Sequence, residues 1–500
     1  MTAAAASRAS RRKPVAAEVA AAAFRAVAAV LAAGAQASGP FAQAELLRSI
    51  HACRSEGLHR LAAAETRVLR SIRDLFADRP EFALAALAAD LRDALAVADA
   101  LAAGDSDPAL LGTARRGYAP IGGLRLHGVC AEAIVARSGY AGAITYLADE
   151  RGALYTRADV APGDAAYAVA AYDMPAAFGE VVLPPRVLSR GRLLVESATA
   201  SADGRLGSGR RVRATRVAQP ARWDQAPIDA RFRAPFAGQL AQIAARDAEP
   251  ADARPAGWDL AFVEGVLVGG AAGVFVHVPR AAAADAAAAD AEPGAEPALM
   301  LRLATAHHRG LPGGDNLVAL SRGTGLAVRA IGRVRIGEPR ELHLIAIGPA
   351  PGERRLALPA PWHGRANVHY DRIPLSAIPD RDARAPAAPP GPPGDDLLAP
   401  LRRRIERAAL GGAGTLPAQA QDELEREAAA LAARALGGAA EVLRDLAALA
   451  HAAAPRRAAP ADDAAPAAHR APDRAAFARA WLRAAVYEDA ARRRLSLASW

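Results

Sequence analysis

Lysine is almost missing from this chain of 500 residues, whose 62 lysine and arginine residues include a single lysine, Lys13. A phosphate-binding loop of the form GxxxxGK[ST] requires a lysine after its glycines, and Schiff-base catalysis requires a lysine amine. Both chemistries are therefore excluded. The sequence also lacks the G-x-S-x-G, H-E-x-x-H and EF-hand motifs, which excludes the corresponding hydrolase, metalloprotease and calcium sites.

Cysteine is equally scarce. Cys53 and Cys130 are the two cysteines of the chain, too few for a disulfide framework or a cysteine-based zinc site. Glu18 and Arg25 interrupt the Ala-rich segment that follows the N-terminal arginines, so we predict neither an export signal nor a membrane helix. These absences indicate a cytoplasmic protein without a cofactor.

Aromatic residues contribute only 5% of the chain, whereas the net charge is +9 and the isoelectric point about 10.2. A basic chain invites an interaction with nucleic acid or another anionic surface. The preference for arginine beside abundant alanine is also what GC-rich codon usage produces. The charge therefore has a functional and a neutral explanation, and the composition leaves both open.

Apolar residues recur at helical spacing over 15–112 and again over 400–500, which predicts a helical domain at each end. We expect a disordered tail at 1–14 and a flexible segment at 452–472. In the first helical region the apolar positions are Leu46, Ile50, Cys53, Leu58, Leu61, Val68, Ile72 and Leu75.

Between these regions the apolar period changes to two, which predicts strands. We assign a first β domain to 113–220, a connecting helix and loop to 221–256, and a second β domain to 257–382. A low-complexity stretch at 281–297 indicates a disordered insertion. A Pro-rich linker follows at 383–399.

Each β region carries several short strands with glycine-rich turns, a pattern typical of small barrels or sandwiches. The run LAVRAIGRVRI…ELHLIAIGP is similar to the late strands of oligonucleotide-binding (OB) barrels. The sequence therefore predicts an α+β multidomain protein, in which two small OB-like β-barrel domains are flanked by N- and C-terminal helical domains.

A tyrosine-rich hairpin is the most distinctive local feature. Six of the eight tyrosines lie between 118 and 172, and the stretch AITYLADERGALYTRADV reads as two strands around a turn. Tyr146 shares a face with Ile144, and Tyr155 shares one with Arg157. A register that aligns these faces would create one aromatic and basic patch. The alternative is that the tyrosines simply fill a core that has few other aromatics.

Arginine is concentrated in the same region, where 113–220 holds 14 Arg against nine acidic residues. Arginines and tyrosines on an open sheet suit stacked bases and a phosphate backbone, and the glycines of RLGSGRRVRATR would let the main chain approach an anion. Alternating arginines mark one strand of the second β domain. The candidate nucleic-acid-binding residues are Tyr140, Tyr146, Tyr155, Arg151, Arg157, Arg205, Arg210, Arg211, Arg213, Arg329, Arg333 and Arg335.

Histidines offer a weaker alternative. His307, His308, His363 and His369 lie near acidic residues and could hold a metal. Adjacent histidines on a strand point to opposite faces, however, so we predict no metal site. Cys130 is a conceivable nucleophile, but its sequence neighbours reveal no group that would lower its pKa.

Three stretches resemble an uncharacterised bacterial family of companion proteins encoded beside SWIM zinc-finger proteins. They begin at LHRLAAAETRVLRSIRDLF, RRGYAPIGGLRLHGVC and LSRGRLLVESATA, and the resemblance covers about 1–240. It implies partnership with a zinc-finger protein and brings no catalytic residues. The SWIM signature itself, CxC followed by CxH, is absent, so this chain would be the partner of the finger.

Three functions follow from these patterns. The leading one is a non-enzymatic accessory or scaffold protein that binds single-stranded nucleic acid through its first β domain. The alternative is a protein-protein interaction scaffold without nucleic-acid binding. A metal-dependent hydrolase built on the histidine region is the least favoured.

Overall fold

The structure is a computed structural model. It describes residues 3–114, 116–209, 211–249, 253–270, 272–278, 299–306, 308, 310–338, 340–379, 396–416, 421–453 and 473–500. The expected insertion at 281–297 lies outside the described residues, as do most of the Pro-rich linker and most of 452–472. The chain divides into two compact units. A helical unit comprises 1–115 and 394–495, and a β unit comprises 116–393 and 496–500.

The helical unit joins the two ends of the chain, where the sequence had indicated two separate helical domains. Its elements are α1 Ala3–Ala33, α2 Pro40–Ser55, α3 His59–Phe76, α4 Leu84–Ala102, α5 Pro108–Leu111, α11 Ala399–Gly411, α12 Gln421–Ala433, α13 Gly437–Ala453 and α14 Arg474–Ser499. Residues from both chain ends, such as Leu31, Leu91 and Trp481, belong to one continuous core. Neither end buries its apolar stripe alone, which is why they pack together.

The predicted apolar stripe of the first helices is confirmed. Leu46, Ile50, Cys53, Leu58, Leu61, Val68 and Ile72 are buried, and Leu75 packs against the same core. Helix α1 begins at Ala3, within the segment that we expected to be a disordered tail. Its portion Val15–Ala33, with a mean hydropathy of 1.9, has the length and apolarity of a membrane span, although the sequence had led us to expect none. Phe24, Val27 and Leu31 from this portion lie in the helical core.

The β unit contains two principal antiparallel sheets, which confirms the predicted α+β class. The first consists of β1 Ala119–Ala136, β2 Tyr140–Ala148, β3 Leu154–Pro162, β6 Arg192–Ala200 and β7 Arg213–Val217, in the order β3-β2-β1-β6-β7. Helix α6 Ala165–Ala171, the small hairpin of β4 Ala176–Phe178 and β5 Val181–Leu183, and helix α7 Pro185–Leu188 connect β3 to β6. Beyond β6, Arg205 bridges to Thr156 of β3 in parallel and Leu206 bridges to Ala200 of β6.

The second sheet follows helices α8 Ile228–Arg233 and α9 Phe236–Asp247. It consists of β8 Leu260–Gly270, β9 Gly273–Val278, β10 Leu299–Ala304, β11 Ala327–Val334, β12 Glu341–Pro349 and β13 Ala366–Asn367, in the order β10-β9-β8-β11-β12-β13. Strand β10 also pairs in parallel with β12 through Arg302, Leu303 and Ala304. Helix α10 Gly313–Leu320 lies between β10 and β11 in the chain.

Three apolar clusters hold the β unit together. One lies on one face of the first sheet and includes Leu126, Leu147 and Val195, and a second, including Val276 and Leu344, belongs to the second sheet. The third combines residues of both sheets, among them Cys130, Tyr146, Phe262, Ile331 and Ile345. The two expected β domains are therefore packed face to face within one unit.

Candidate functional site

The register of the β2–β3 hairpin separates the tyrosines that we expected to meet. Tyr146 lies opposite Thr156, and Tyr155 lies opposite Leu147. Because side chains alternate along a strand, Tyr146 and Tyr155 point to opposite faces of the sheet. The turn itself is as predicted, with the Asp149 carboxylate accepting hydrogen bonds from the backbone N–H groups of Arg151 and Ala153 at 2.9 and 2.8 Å. The predicted single patch is wrong.

Tyr146 is a core residue with 2% of its surface exposed. Its hydroxyl donates to Glu132 Oε2 at 3.0 Å, and Arg333 Nη2 donates to the same carboxylate oxygen at 2.7 Å. Burial would raise the pKa of the Glu132 carboxyl, but the Arg333 guanidinium outweighs this effect and holds that pKa below its ordinary value. Arg333 also donates to Asp259. Tyr146 and Arg333 thus join the two sheets and are not available to stack on or neutralise a ligand.

Arg329 is equally enclosed, with 4% of its surface exposed. Its guanidinium donates to Glu264 and Asp229 at 2.7 Å each and to the Trp223 carbonyl at 2.7 Å. It also lies over the Phe232 ring, 4.8 Å from the ring centre. Each of the three guanidinium nitrogens therefore donates a hydrogen bond within the β unit. Arg329, a candidate nucleic-acid-binding residue in the sequence, is therefore enclosed and not available to a ligand.

The remaining candidates divide by exposure. Arg157 is half-buried and pairs with Asp159 at 2.9 Å, and Arg205 donates to the Ala158 carbonyl at 3.3 Å. Tyr155 packs against the core of the first sheet. Tyr140, Arg151, Arg211, Arg213 and Arg335 are exposed; Arg213 pairs with Glu180 and Arg335 with Glu338. Arg210 lies outside the described residues.

A buried polar cluster around Arg190, Asn367 and Asp371 was not predicted. Arg190 pairs with Asp371 at 2.5 Å and donates to the Tyr172 hydroxyl at 2.8 Å. Asn367 donates to that hydroxyl at 2.8 Å and accepts from the backbone N–H of Ala131 at 2.9 Å. The Tyr172 ring stacks on Tyr370 with the ring centres 4.0 Å apart. The residues of this polar cluster lie up to about 240 positions apart in the chain, so no local sequence motif could have indicated the cluster.

Arg365 is fully buried at the edge of this cluster. Its Nη1 atom donates to the carbonyls of Gly128, Val129 and Ser189 at 2.5, 3.1 and 3.1 Å, and its Nη2 atom donates to the Ala221 carbonyl. Burial and the neighbouring Arg190 lower the pKa of Arg365 to about 9, which leaves it charged at neutral pH. Its guanidinium connects three backbone segments, at 128–129, Ser189 and Ala221.

The three candidate histidines that the structure describes do not assemble into one site. The surroundings of His363 are the cationic Arg365, Arg190, Arg216 and Arg222, whereas His369 interacts electrostatically with Glu132 and His308. His307 lies outside the described residues. Within the described part of the chain, no group of three or more His, Cys, Asp or Glu is positioned to hold a metal.

Cys130 does not have the environment of a nucleophile. It is completely buried, and burial followed by the charge of Glu132 raises the pKa of its thiol. The thiol therefore stays protonated at neutral pH, which removes the reactive thiolate. Cys130 packs instead with Tyr146 and Phe262 between the two sheets.

The outer face of β9 and β10 is a surface that sequence reasoning overlooked. Arg302 lies opposite Phe275, and Met300 lies opposite His277. Their neighbours in sequence, such as Val276 and Leu301, are buried in the core of the second sheet, so these four residues point away from it. Arg302 is 53% exposed and pairs with Glu341 at 2.7 Å, and His277 and Met300 are half-buried. Phe275 is buried although it points away from that core. The sequence pattern that indicates this surface is the alternation of inward- and outward-facing residues in MLRLA (300–304) and VFVHV (274–278).

No protein family, curated protein or solved structure matches this chain. The geometry of its own residues therefore carries the functional argument.

Proposed function

We propose that the β unit consists of two OB-like barrels and that it binds single-stranded nucleic acid without enzymatic activity. The order of strand pairing supports this proposal. In the second sheet, β8, β9 and β10 follow one another, β10 pairs with β12, β12 with β11, and β11 with β8. The pairings therefore lead from β8 back to β8. In the chain, α10 lies between β10 and β11, which are the third and fourth strands of this set. A five-stranded Greek-key order of this kind is typical of the OB fold.

The first sheet supports the same assignment. Strands β1, β2 and β3 are consecutive, Arg205 bridges to β3 in parallel, Leu206 bridges to β6, and β6 pairs with β1. In the chain, helix α6 lies between β3 and β6, which are the third and fourth strands of this set. Each of the two sets of strands has its own apolar cluster, which supports the assignment of two modules with the same connectivity.

The face used for binding differs from the one that the sequence suggested. OB folds bind oligonucleotides on their second and third strands and on the adjoining loops. In the first module this face is β2–β3, and Tyr146 from it packs against Phe262 and Ile345 of the other module. In the second module the equivalent face is β9–β10. We therefore assign nucleic-acid binding to the second module.

The chemistry of the β9–β10 face suits a single strand. Arg302 provides an exposed positive charge for a phosphate, and the neighbouring β11–β12 connection adds the exposed Arg335. The His277 ring is a surface on which a base can stack, with Met300 beside it. The outward placement of Arg302 and His277 on the second and third strands is the observation that carries the proposal.

Fluorescence anisotropy with labelled single-stranded DNA, single-stranded RNA and duplex DNA at several salt concentrations tests it. We expect the Arg302→Gln variant to bind more weakly and to lower the slope of log affinity against log salt by about one. Arg186→Gln is the matched control, since Arg186 is also 53% exposed and ion-paired, with Asp173, but lies on α7. Equal loss in both variants, or no binding by the wild type at low salt, would refute the assignment.

A second candidate function is a protein scaffold, favoured by exposed aromatics on the helical unit. Phe41 is 78% exposed near the start of α2, and Phe76 is 54% exposed at the end of α3. The two helices are consecutive and their Ser49 and Glu65 side chains are in contact at 2.6 Å, so the hairpin brings Phe41 and Phe76 to the same end. The SWIM zinc-finger protein that the sequence resemblance implies is the partner we propose for this surface.

Co-expression with that zinc-finger protein tests the scaffold function. We expect a complex that survives nuclease treatment and is lost in the Phe41→Ser, Phe76→Ser double variant. The exposed Val486 on α14 supplies a control, Val486→Ser, that should leave the complex intact. A complex that disappears with nuclease would instead indicate a nucleic-acid bridge.

A further inference from the structure

Exposed basic side chains from three chain segments come together on the β unit, in a place that the proposed function does not use. Arg216 lies on the edge strand β7, Arg222 on the connection from β7 to α8, and His363 shortly before β13. All three residues are exposed. We call this set the β7 edge patch.

Hydrogen bonds at Arg190 hold two of these segments together. The backbone N–H of Ala221, the residue before Arg222, donates to the Arg190 carbonyl at 2.9 Å. The Arg190 side chain donates to the carbonyl of Trp362, the residue before His363, at 3.3 Å. Arg222 and His363 therefore flank one buried arginine, and they cannot separate without breaking these bonds.

Arg216 joins the patch from the neighbouring sheet edge. It lies opposite Leu193 of β6, the strand that begins just after Arg190. Arg216 acts electrostatically on His363 with the same sign as Arg222. The three exposed side chains are therefore within electrostatic reach of one another.

Acidic residues already neutralise some arginines of this region. Three ion pairs share this arrangement: Arg222 with Asp224, Arg190 with Asp371, and Arg186 with Asp173. Each pair is nearly neutral overall, so it attracts an anion only weakly. The attraction depends on the charges that remain.

Those charges belong to Arg216 and Arg365, which have no acidic partner among the described residues. The buried Arg365 guanidinium donates to backbone carbonyls only, and it lies 5.6 Å from the ring centre of Trp223, the residue after Arg222. Burial, followed by the neighbouring cations, lowers the pKa of His363, so its ring is neutral at pH 7. An anion placed here would offset two uncompensated positive charges.

Aromatic rings accompany these charges. The exposed His363 has a φ of 49°, a left-handed conformation that is uncommon outside glycine. The half-buried Trp362 precedes it in the chain. Arginine beside an aromatic ring suits single-stranded nucleic acid, because a base can stack on the ring while the guanidinium holds a phosphate. An acidic protein segment would use the charges but not the ring.

We propose that the β7 edge patch is a second contact for single-stranded nucleic acid, separate from the β9–β10 face. This inference rests on the nucleic-acid binding proposed above. Along β12, Glu341 lies beside Arg302, whereas a Cβ on Gly348 would meet the Gly364 carbonyl oxygen, next to His363. The strand segment from Glu341 to Gly348 spans roughly 23 Å at about 3.3 Å per residue. An oligonucleotide must exceed this length to occupy both contacts.

Fluorescence anisotropy of the full-length protein tests the second contact with a labelled oligothymidylate of about 20 nucleotides, which exceeds that length even at about 3.4 Å per nucleotide. We expect Arg216→Gln to weaken binding and to lower the slope of log affinity against log salt by about one. Arg407→Gln is the matched control, since Arg407 is exposed on α11 of the helical unit and forms no ion pair within the described part of the chain. An equal loss of affinity in both variants would overturn the second contact.

The His363 ring gives an independent signal. Its NMR titration, assigned with His363→Gln, should show a pKa that rises when the oligothymidylate binds, because a phosphate opposes the neighbouring cations. A pKa that stays constant, or one that rises with polyglutamate but not with the oligothymidylate, would overturn the second contact. The latter result would indicate an acidic protein partner.

Comparison with Arg302→Gln separates this inference from the proposed function. If only Arg302→Gln weakens binding, the second contact is wrong and the β9–β10 assignment stands. If only Arg216→Gln weakens binding, the β9–β10 assignment is wrong and the second contact stands. No binding by the wild type at low salt would refute both.

Discussion

A carboxylate in the helical core gives this protein a stability that should depend on pH. Glu65 on α3 is completely buried. Its Oε1 atom accepts from the Ser49 hydroxyl at 2.6 Å, whereas its Oε2 atom has no partner. Burial raises the pKa of the Glu65 carboxyl to about 7, despite opposing hydrogen bonds from Ser49 and Cys53. The group has no cation to compensate its charge, so ionisation within the fold is penalised.

The sign of the effect follows from proton binding. An unperturbed glutamate has a pKa of 4.5, so between about pH 4.5 and 7 the folded state binds more protons than the unfolded state. Stability therefore falls as the pH rises through this window. A difference of about 2.5 pKa units corresponds to roughly 3 kcal/mol, present below pH 4.5 and lost above pH 7.

Urea denaturation followed by circular dichroism at 222 nm, from pH 5 to 8, measures this effect. In the Glu65→Gln variant we expect the unfolding free energy to stay constant between pH 5 and 8. At pH 8 the variant should be more stable than the wild type, because a neutral amide replaces the charged carboxylate. Glu45→Gln on α2 is the control, since the Glu45 side chain is 39% exposed and paired with Arg48. If wild type and Glu65→Gln keep the same pH dependence, the argument from the uncompensated buried charge is wrong.

Other predictions concern the β unit. Tyr146→Phe removes a hydroxyl bonded to Glu132 and should lower the unfolding free energy by about 1–2 kcal/mol without changing oligonucleotide affinity, as denaturation and anisotropy together would reveal. Asp371→Asn leaves Arg190 buried without its counter-charge and should cost roughly 3–5 kcal/mol in the same denaturation assay. Gly142→Ala would set a Cβ 2.1 Å from the Asp159 carbonyl oxygen; we expect a loss above about 2 kcal/mol, against no loss for Gly209→Ala, whose Cβ position is open.

Local features were predictable from the sequence because local forces determine them. The hairpin turn at Asp149 follows from a side chain that caps its own backbone, and the buried positions of α2 and α3 follow from helical spacing. The joining of the chain ends into one helical unit was not predictable. It depends on which apolar stripes complement each other, and periodicity carries no information about partners.

The arginines of β11 explain why part of the predicted site lies in the interior. Arg329 and Arg333 alternate with apolar residues, a pattern that resembles a basic surface, yet their acidic partners lie elsewhere in the chain. Glu132 is 201 residues from Arg333, and Asp229 is 100 residues from Arg329. Burying an arginine requires such partners, because an unpaired charge in the interior is far more costly than one in water. Charge clustering along one strand therefore cannot distinguish a phosphate contact from a buried ion pair. Arg329 is enclosed by the acidic side chains of Glu264 and Asp229, whereas Arg302 is 53% exposed on the outer face of β9 and β10. For this reason we propose that a ligand binds at β9 and β10.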